Sequence, residues 1–199
     1  MATPSLDPYQ RAQETRRSVL EMAVFMKRED GDDATVRRLP PVGGSGAVDR
    51  YFALLQDRLP VWLHILHNLD HLVGKGRVSD NLLPIARAGI DYYVETLSAA
   101  LPAFSSPTVT VRFREAVRGG RFGPMPEIVP LAEYLAAEQR AGRVAAGVDP
   151  TASARLMLAA CFQHAYFELF TGGGFGPSRD EWAEEIVREL RLEPAAQRA

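Results

Sequence analysis

His64, His67 and His71 fall at spacings of three and four in the stretch WLHILHNLDHLV, which brings their imidazoles to one face of a helix. Two imidazoles so placed can hold a metal ion, with Asp70 or His164 to complete a shell. Sites of that kind draw ligands from a second element, and no matched carboxylate–histidine motif occurs in the chain. The stripe therefore reads as a partly solvated polar face, opposite a seam of Trp62, Ile65, Leu66, Leu69, Leu72 and Val73. Other chemistries find less support. TGGGFGPS lacks the Gly-Lys-Ser/Thr ending of a phosphate cradle and follows no strand pattern. No Ser-His-acid order, paired carboxylates or nucleotide fingerprint stands out, so neither catalysis nor a metal or other cofactor is expected. Cys161 is the only cysteine, which excludes an internal disulfide and a cysteine-based zinc site; its setting, LAACF, predicts a buried, inert thiol.

Binding remains. A pocket inside a helical body is lined by apolar and aromatic side chains with a few polar tips. Tyr92, Tyr93, Phe113, Phe122, Met125, Phe162 and Tyr166 are the candidates, and they predict a small apolar or aromatic ligand. Each also fits ordinary core at helical spacing.

The elements that must position these residues are helices throughout. Apolar residues recur at helical spacing and no alternating strand survives, so the chain reads as all-α. A first helix spans 8–27, with Val19, Leu20, Ala23 and Phe25 among its apolar positions, and REDGDD closes it through Gly31. A short second helix over 35–39 ends at Pro40 and Pro41, which remove backbone donors. VGGSG makes a turn, and SGAVDRYF a third short helix. Longer helices follow near 57–74, 80–101, 107–118, 126–142, 150–171 and 178–192, separated by Gly- and Pro-containing breaks. This predicts a small three-helix head over 1–55 on a larger helical body over 56–199. The 150–171 helix starts with Asp149 as cap and Pro150 in its first turn, and is apolar around most of its circumference. The next helix carries Trp182, Ile186, Val187 and Leu190 on one stripe. Two such helices meeting two from a copy predict a homodimer with a four-helix interface.

With 46% apolar and 24% charged residues, the 199-residue chain is close to the globular average. No apolar run approaches the ~20 residues that span a bilayer, and MATPSLDPYQ lacks the features of a signal peptide. A cytoplasmic protein without membrane contact is expected. Net charge is −2, and residues 1–60 hold nine Arg or Lys against nine Asp or Glu, so any nucleic-acid contact must come from a local patch.

The front segment TRRSVLEMAVFMKREDGDDATVRRL, then AVDRYF, and at the back LAEYLAAEQRAGRVAAGVDPTASARLMLAACFQHAYF, resemble the TetR family of transcriptional repressors over almost the whole chain. In the back segment, Gly142-Arg143 and Asp149-Pro150 fall at the family's spacing. The resemblance implies a helix-turn-helix head, a ligand-binding and dimerisation body, and Arg37, Arg38, Ser45, Arg50 and Tyr51 as the residues facing a DNA operator. It also makes 57–74 the helix joining head to pocket, with His67 and His71 as pocket donors. Val48, Tyr51 and Phe52 match the end of the family's recognition helix. The family's first tyrosine there is Asp49, its turn has become VGGSG, and Leu55 stands where a phosphate-contacting lysine belongs. Each lost phosphate contact weakens DNA binding and lowers its salt dependence. The implied function is a ligand-responsive regulator that binds DNA as a homodimer. The alternative is a ligand- or protein-binding protein of that fold that has lost its operator.

Overall fold

The computed structural model describes residues 7–27, 45–105, 107–118, 125–172, 174 and 176–194. Among them the protein is all-helical: α1 (Pro8–Lys27), α2 (Ser45–His67), a 3-10 turn (Asn68–Leu72), α3 (Val78–Phe104), α4 (Pro107–Arg118), α5 (Met125–Arg140), α6 (Pro150–Thr171) and α7 (Arg179–Glu189). The expected second helix over 35–39 lies outside the described residues, as do Arg37, Arg38 and Phe122. No helix among the described residues is long and apolar enough to cross a membrane.

Two compact units form. The first takes the described residues of Met1–Val61 and Thr96–Gly123, and the second those of Trp62–Glu95 and Pro124–Ala199. SGAVDRYF is not a short helix of its own, and no new helix begins near 57. Instead α2 continues for 23 residues to His67, with Pro60 inside it. Its buried stripe explains this: Val48, Tyr51, Phe52, Leu55 and Leu59 lead without interruption into Trp62, Leu63 and Leu66. A period of 3.6 maintained across residue 55 leaves no reason for the helix to end there.

In the first unit, α1 packs on α4. Val19, Val48, Tyr51, Phe52, Leu55 and Ala103 are buried. Tyr51 meets Phe52 and Phe104 edge-on at ring separations of 5.4 and 5.3 Å, and Phe104 meets Phe113 at 4.7 Å.

In the second unit, α5 packs on α6, α6 on α7, and the 3-10 turn on α5. Leu66, Leu69, Leu82, Ile90, Leu131, Tyr134, Leu135 and Met157 form its deep core. Local signals set the helix ends. Asp149 Oδ1 accepts from the amides of Thr151 (2.9 Å) and Ala152 (3.1 Å), which caps α6 as its sequence implies. Ser178 and Glu181 form a reciprocal capping box at α7. Arg179 then ties α7 to both neighbours, bonding Glu168 on α6 and Asp91 on α3.

A second tie fastens two loops to α5. Glu138 is fully buried, and Arg143 donates to both its oxygens. The Gly74 amide donates to Oε1 at 3.2 Å, while Arg143 also reaches the Gly76 carbonyl at 2.9 Å. Burial by itself pushes the Glu138 carboxyl up, but Arg143, Gly74 and Tyr134 outweigh it and hold the group below its ordinary 4.5.

Candidate functional site

A different glutamate of α5 marks the site. Glu127, Leu131, Tyr134 and Glu138 are four, three and four residues apart, so they share the face of α5 that turns into the second unit. Glu127 lies among aromatic rings. Its Oε2 accepts from Trp62 Nε1 of α2 at 2.9 Å and from the Tyr93 hydroxyl of α3 at 2.6 Å. Trp62 stacks on Tyr92 with ring centroids 5.6 Å apart and planes 19° from parallel. Tyr92 leans on Tyr93 at 5.2 Å, and Tyr93 meets Phe162 of α6 edge-on at 5.6 Å. Gly89 makes room beneath them, because a Cβ there would stand 3.2 Å from the Trp62 ring and 3.4 Å from the Cys161 sulfur. Four helices thus converge on one carboxyl.

Its electrostatics are unusual. Burial holds the Glu127 carboxyl above the ordinary carboxylate range, against the opposing pull of Tyr93 and Trp62. Burial, and the neighbouring carboxyl, likewise raise the Tyr93 phenol, which stays protonated and remains a donor. Among the described residues Oε1 has no hydrogen-bond partner, and no side-chain oxygen is sealed from solvent without one. Oε1 is therefore reachable. Cys161 is chemically quiet: burial pushes its thiol up to about 12, and Sγ donates weakly to the Ala86 carbonyl at 3.5 Å.

Of the aromatic residues expected to line a pocket, Tyr92, Tyr93 and Phe162 belong to this group. Phe113 belongs to the aromatic cluster of the first unit. Tyr166 lies on the outer side of α6 against Phe170, at 4.7 Å, and Met125 is exposed. Among the described residues no histidine of the stripe bonds the carboxyl. His67 Nδ1 donates to the Leu63 carbonyl at 2.6 Å, His64 Nε2 lies 3.2 Å from the Asn68 amide nitrogen, and His71 is exposed in the 3-10 turn. No group of three metal-ligating side chains forms among the described residues.

No family model, curated protein or solved structure matches the chain. The site therefore stands on its own geometry. Glu127 is the member that sequence reasoning passed over, although one signal was present. In MPEIVPL it is the single charge in an apolar run, in register with the buried stripe that ends at Glu138. Trp62 was legible only as seam, since periodicity says that it is buried and not what its indole N–H meets.

Of the residues expected to face DNA, Arg50 is exposed in the first turns of α2. Ser45 is the first residue of that helix. Tyr51 is buried at 7% exposure, among the core residues of the first unit.

A half-buried carboxylate that meets only neutral donors among the described residues lowers stability, which gives a test. The folded value for Glu127 lies above its ordinary 4.5, so the penalty is fully present at neutral and alkaline pH. It is relieved as pH falls through the folded value, where the folded chain takes up a proton before the unfolded one does. Glu127→Gln keeps an acceptor for Trp62 and Tyr93 and turns an NH2 to the open side. The variant is expected to be more stable than wild type at pH 8 by about 1–2 kcal/mol, with a smaller gain at pH 5, as read by chemical denaturation at matched protein concentration.

Proposed function

We propose that the protein is a TetR-like, ligand-responsive transcriptional regulator that acts in the cytoplasm as a homodimer and leaves its operator when a small apolar or aromatic molecule binds. The observation that carries the ligand half of this reading is the reachable Glu127 carboxyl under Trp62, Tyr92, Tyr93 and Phe162. A few convergent polar atoms amid aromatic surface are what a small-molecule site requires. Simple core packing would not place there a carboxyl that meets only neutral donors among the described residues.

The homodimer rests on α6. Leu156, Tyr166, Phe167 and Phe170 are exposed and follow one stripe, flanked by Phe162 and Leu169. From Leu156 to Phe170 the stripe runs for about 21 Å along the helix. One charge flanks the stripe, the exposed Arg155 near its N-terminal end, eleven residues before Tyr166; the C-terminal part around Tyr166, Phe167 and Phe170 meets an identical part without like-charge repulsion. On α7, Ala183, Ile186 and Val187 are already buried within their own unit, which leaves α6 as the uncovered surface.

The operator half rests on the resemblance around AVDRYF and on the exposed Arg50. A specific observation favours the second reading, a protein of this build that has lost its operator. Leu55 occupies the position of a phosphate-binding lysine and is only 2% exposed. The deciding experiment is selection from genomic fragments followed by salt titration. Enrichment of a palindrome whose affinity falls steeply with salt supports the regulator. A folded protein that enriches nothing leaves the ligand-binding reading alone.

A further inference from the structure

A groove of about 360 Å3 opens between the start of α3 and the end of α7, and it shares no residue with the Glu127 cluster. Leu83 and Val187 form a shallow floor, and charges of both signs form the walls. One pair is closed on itself: Arg77 donates to both oxygens of Glu193, at 3.2 and 3.0 Å, and the Ser79 hydroxyl donates to Oε1 at 3.0 Å. The remaining charges are Asp80 on α3, Glu184 and Arg188 on α7, and Arg191 just past its end. Among the described residues neither Asp80 nor Glu184 has a hydrogen bond or ion pair, and Asp80 only adds to the field that raises Arg77. Arg188 meets Glu185 at 4.0 Å and Glu189 at 3.2 Å, and Arg191 meets Glu189 at 3.3 Å. These partners are exposed neighbours in sequence, and pairs of that kind are weak and readily exchanged.

Arg191 also holds a costly backbone conformation. Its φ of 47° lies in the left-handed region, which glycine adopts freely and arginine does not. The turn is needed, since it buries Leu192 and lets the Leu192 carbonyl accept from the Ala145 amide at 2.8 Å. Glycine would make the same turn without that strain, so what this position retains is the guanidinium at the groove.

We infer that the groove binds a short zwitterionic peptide of two or three residues, its amino group set against Asp80 and Glu184 and its terminal carboxylate against Arg188 and Arg191. Charge complementarity selects this class. A ligand of one sign satisfies one pole and meets the other as a like charge, whereas a zwitterion satisfies both. A guanidinium pair also suits a planar carboxylate, which it can grip with two parallel hydrogen bonds. Spacing sets the length. Glu184 precedes Arg188 by four residues and Arg191 by seven, so the poles stand roughly 6–10 Å apart along the helix direction. An extended peptide covers about 3.3–3.6 Å per residue, and two or three residues bridge that gap. The floor is shallow, so the two termini and not the side chains carry the affinity. The groove is thus a second site, independent of the ligand proposed for Glu127.

The test titrates trialanine, N-acetyl-trialanine and trialanine amide into the isotope-labelled full chain at low salt, with backbone amide shifts followed by NMR. Trialanine should give saturable shifts centred on residues 77–83 and 184–193, and its affinity should fall as salt is added. Each blocked peptide should bind about threefold more weakly, the loss of one exposed charge pairing. Two variants separate the poles. Glu184→Gln should weaken trialanine and leave N-acetyl-trialanine unchanged. Arg191→Gly should weaken trialanine, leave trialanine amide unchanged and melt close to wild type. Circular dichroism confirms that both are folded. Absence of saturation, or saturation at other residues, overturns the site. Equal affinity for the three peptides, or a loss with one blocked form alone, overturns the zwitterion assignment. Wild-type affinity for trialanine in either variant overturns the pole assigned to that residue, and the proposal with it.

Discussion

Arg143→Ala is expected to destabilise the protein by about 3–5 kcal/mol, measured by urea unfolding at fixed protein concentration. Among the described residues Arg143 is the only cation bonded to Glu138, whose side chain is fully buried. Its removal strands a charge in the core and also leaves the carbonyls of Lys75 and Gly76 without their guanidinium donor. The loss is larger than for a surface ion pair because no solvent reaches the abandoned carboxylate. Two controls identify the cause. Glu138→Gln in the Arg143→Ala background should recover part of the loss, since it removes the stranded charge. The pH dependence should also change sign in that window. In wild type the folded value of Glu138 lies below its ordinary 4.5, so its contribution is full above that pH and is lost as pH falls through the folded value. In Arg143→Ala only burial, the Gly74 amide and Tyr134 act on the carboxyl, so acid should narrow the gap to wild type. A change below 1 kcal/mol would show that the loops at 73–77 and 141–148 are held by packing alone.

Phe167→Glu with Phe170→Glu is expected to convert a dimer into a folded monomer. Both rings are exposed in the single chain, at 56% and 65%, and belong to the apolar stripe of α6. Residues at the centre of such an interface each contribute about 2 kcal/mol or more. Two together amount to roughly a thousandfold in dissociation constant, and the carboxylates would face their own copies across the symmetry axis. Sedimentation equilibrium gives the dissociation constant directly. Because these side chains lie outside the core of their own unit, circular dichroism should stay at the wild-type level. Wild-type protein that is monomeric at tens of micromolar would sink the homodimer. A double variant that dimerises as wild type does would move the contact away from α6.

The two substitutions probe features that differ in how far they could be read from the chain. Both α6 residues lie in a run whose apolar character all around the helix already called for an outside cover. The Glu138–Arg143 pair was not visible. Gly142-Arg143 stood out as a turn, yet nothing in it indicates that the arginine folds back on a glutamate five residues earlier and closes over residues 74–76.

The sequence by itself determined the helical class and most helix ends, because those depend on neighbours along the chain. Pro150 after Asp149, Ser178 three residues before Glu181, and glycine or proline between helices are all local rules. The ranges of α1, α4 and α6 follow from them. Where a local rule was overridden, packing was the cause: α2 runs past residue 55 because its buried stripe continues. The site was decided by tertiary structure alone. Trp62 and Tyr93 reach Glu127 across 65 and 34 residues of chain. Periodicity indicates which face of a helix is buried and not which distant helix it meets. Hence the expected aromatic lining separated, with Phe113 in one unit and Tyr92, Tyr93 and Phe162 in the other. The carboxyl at their centre became apparent only when four helices were brought together.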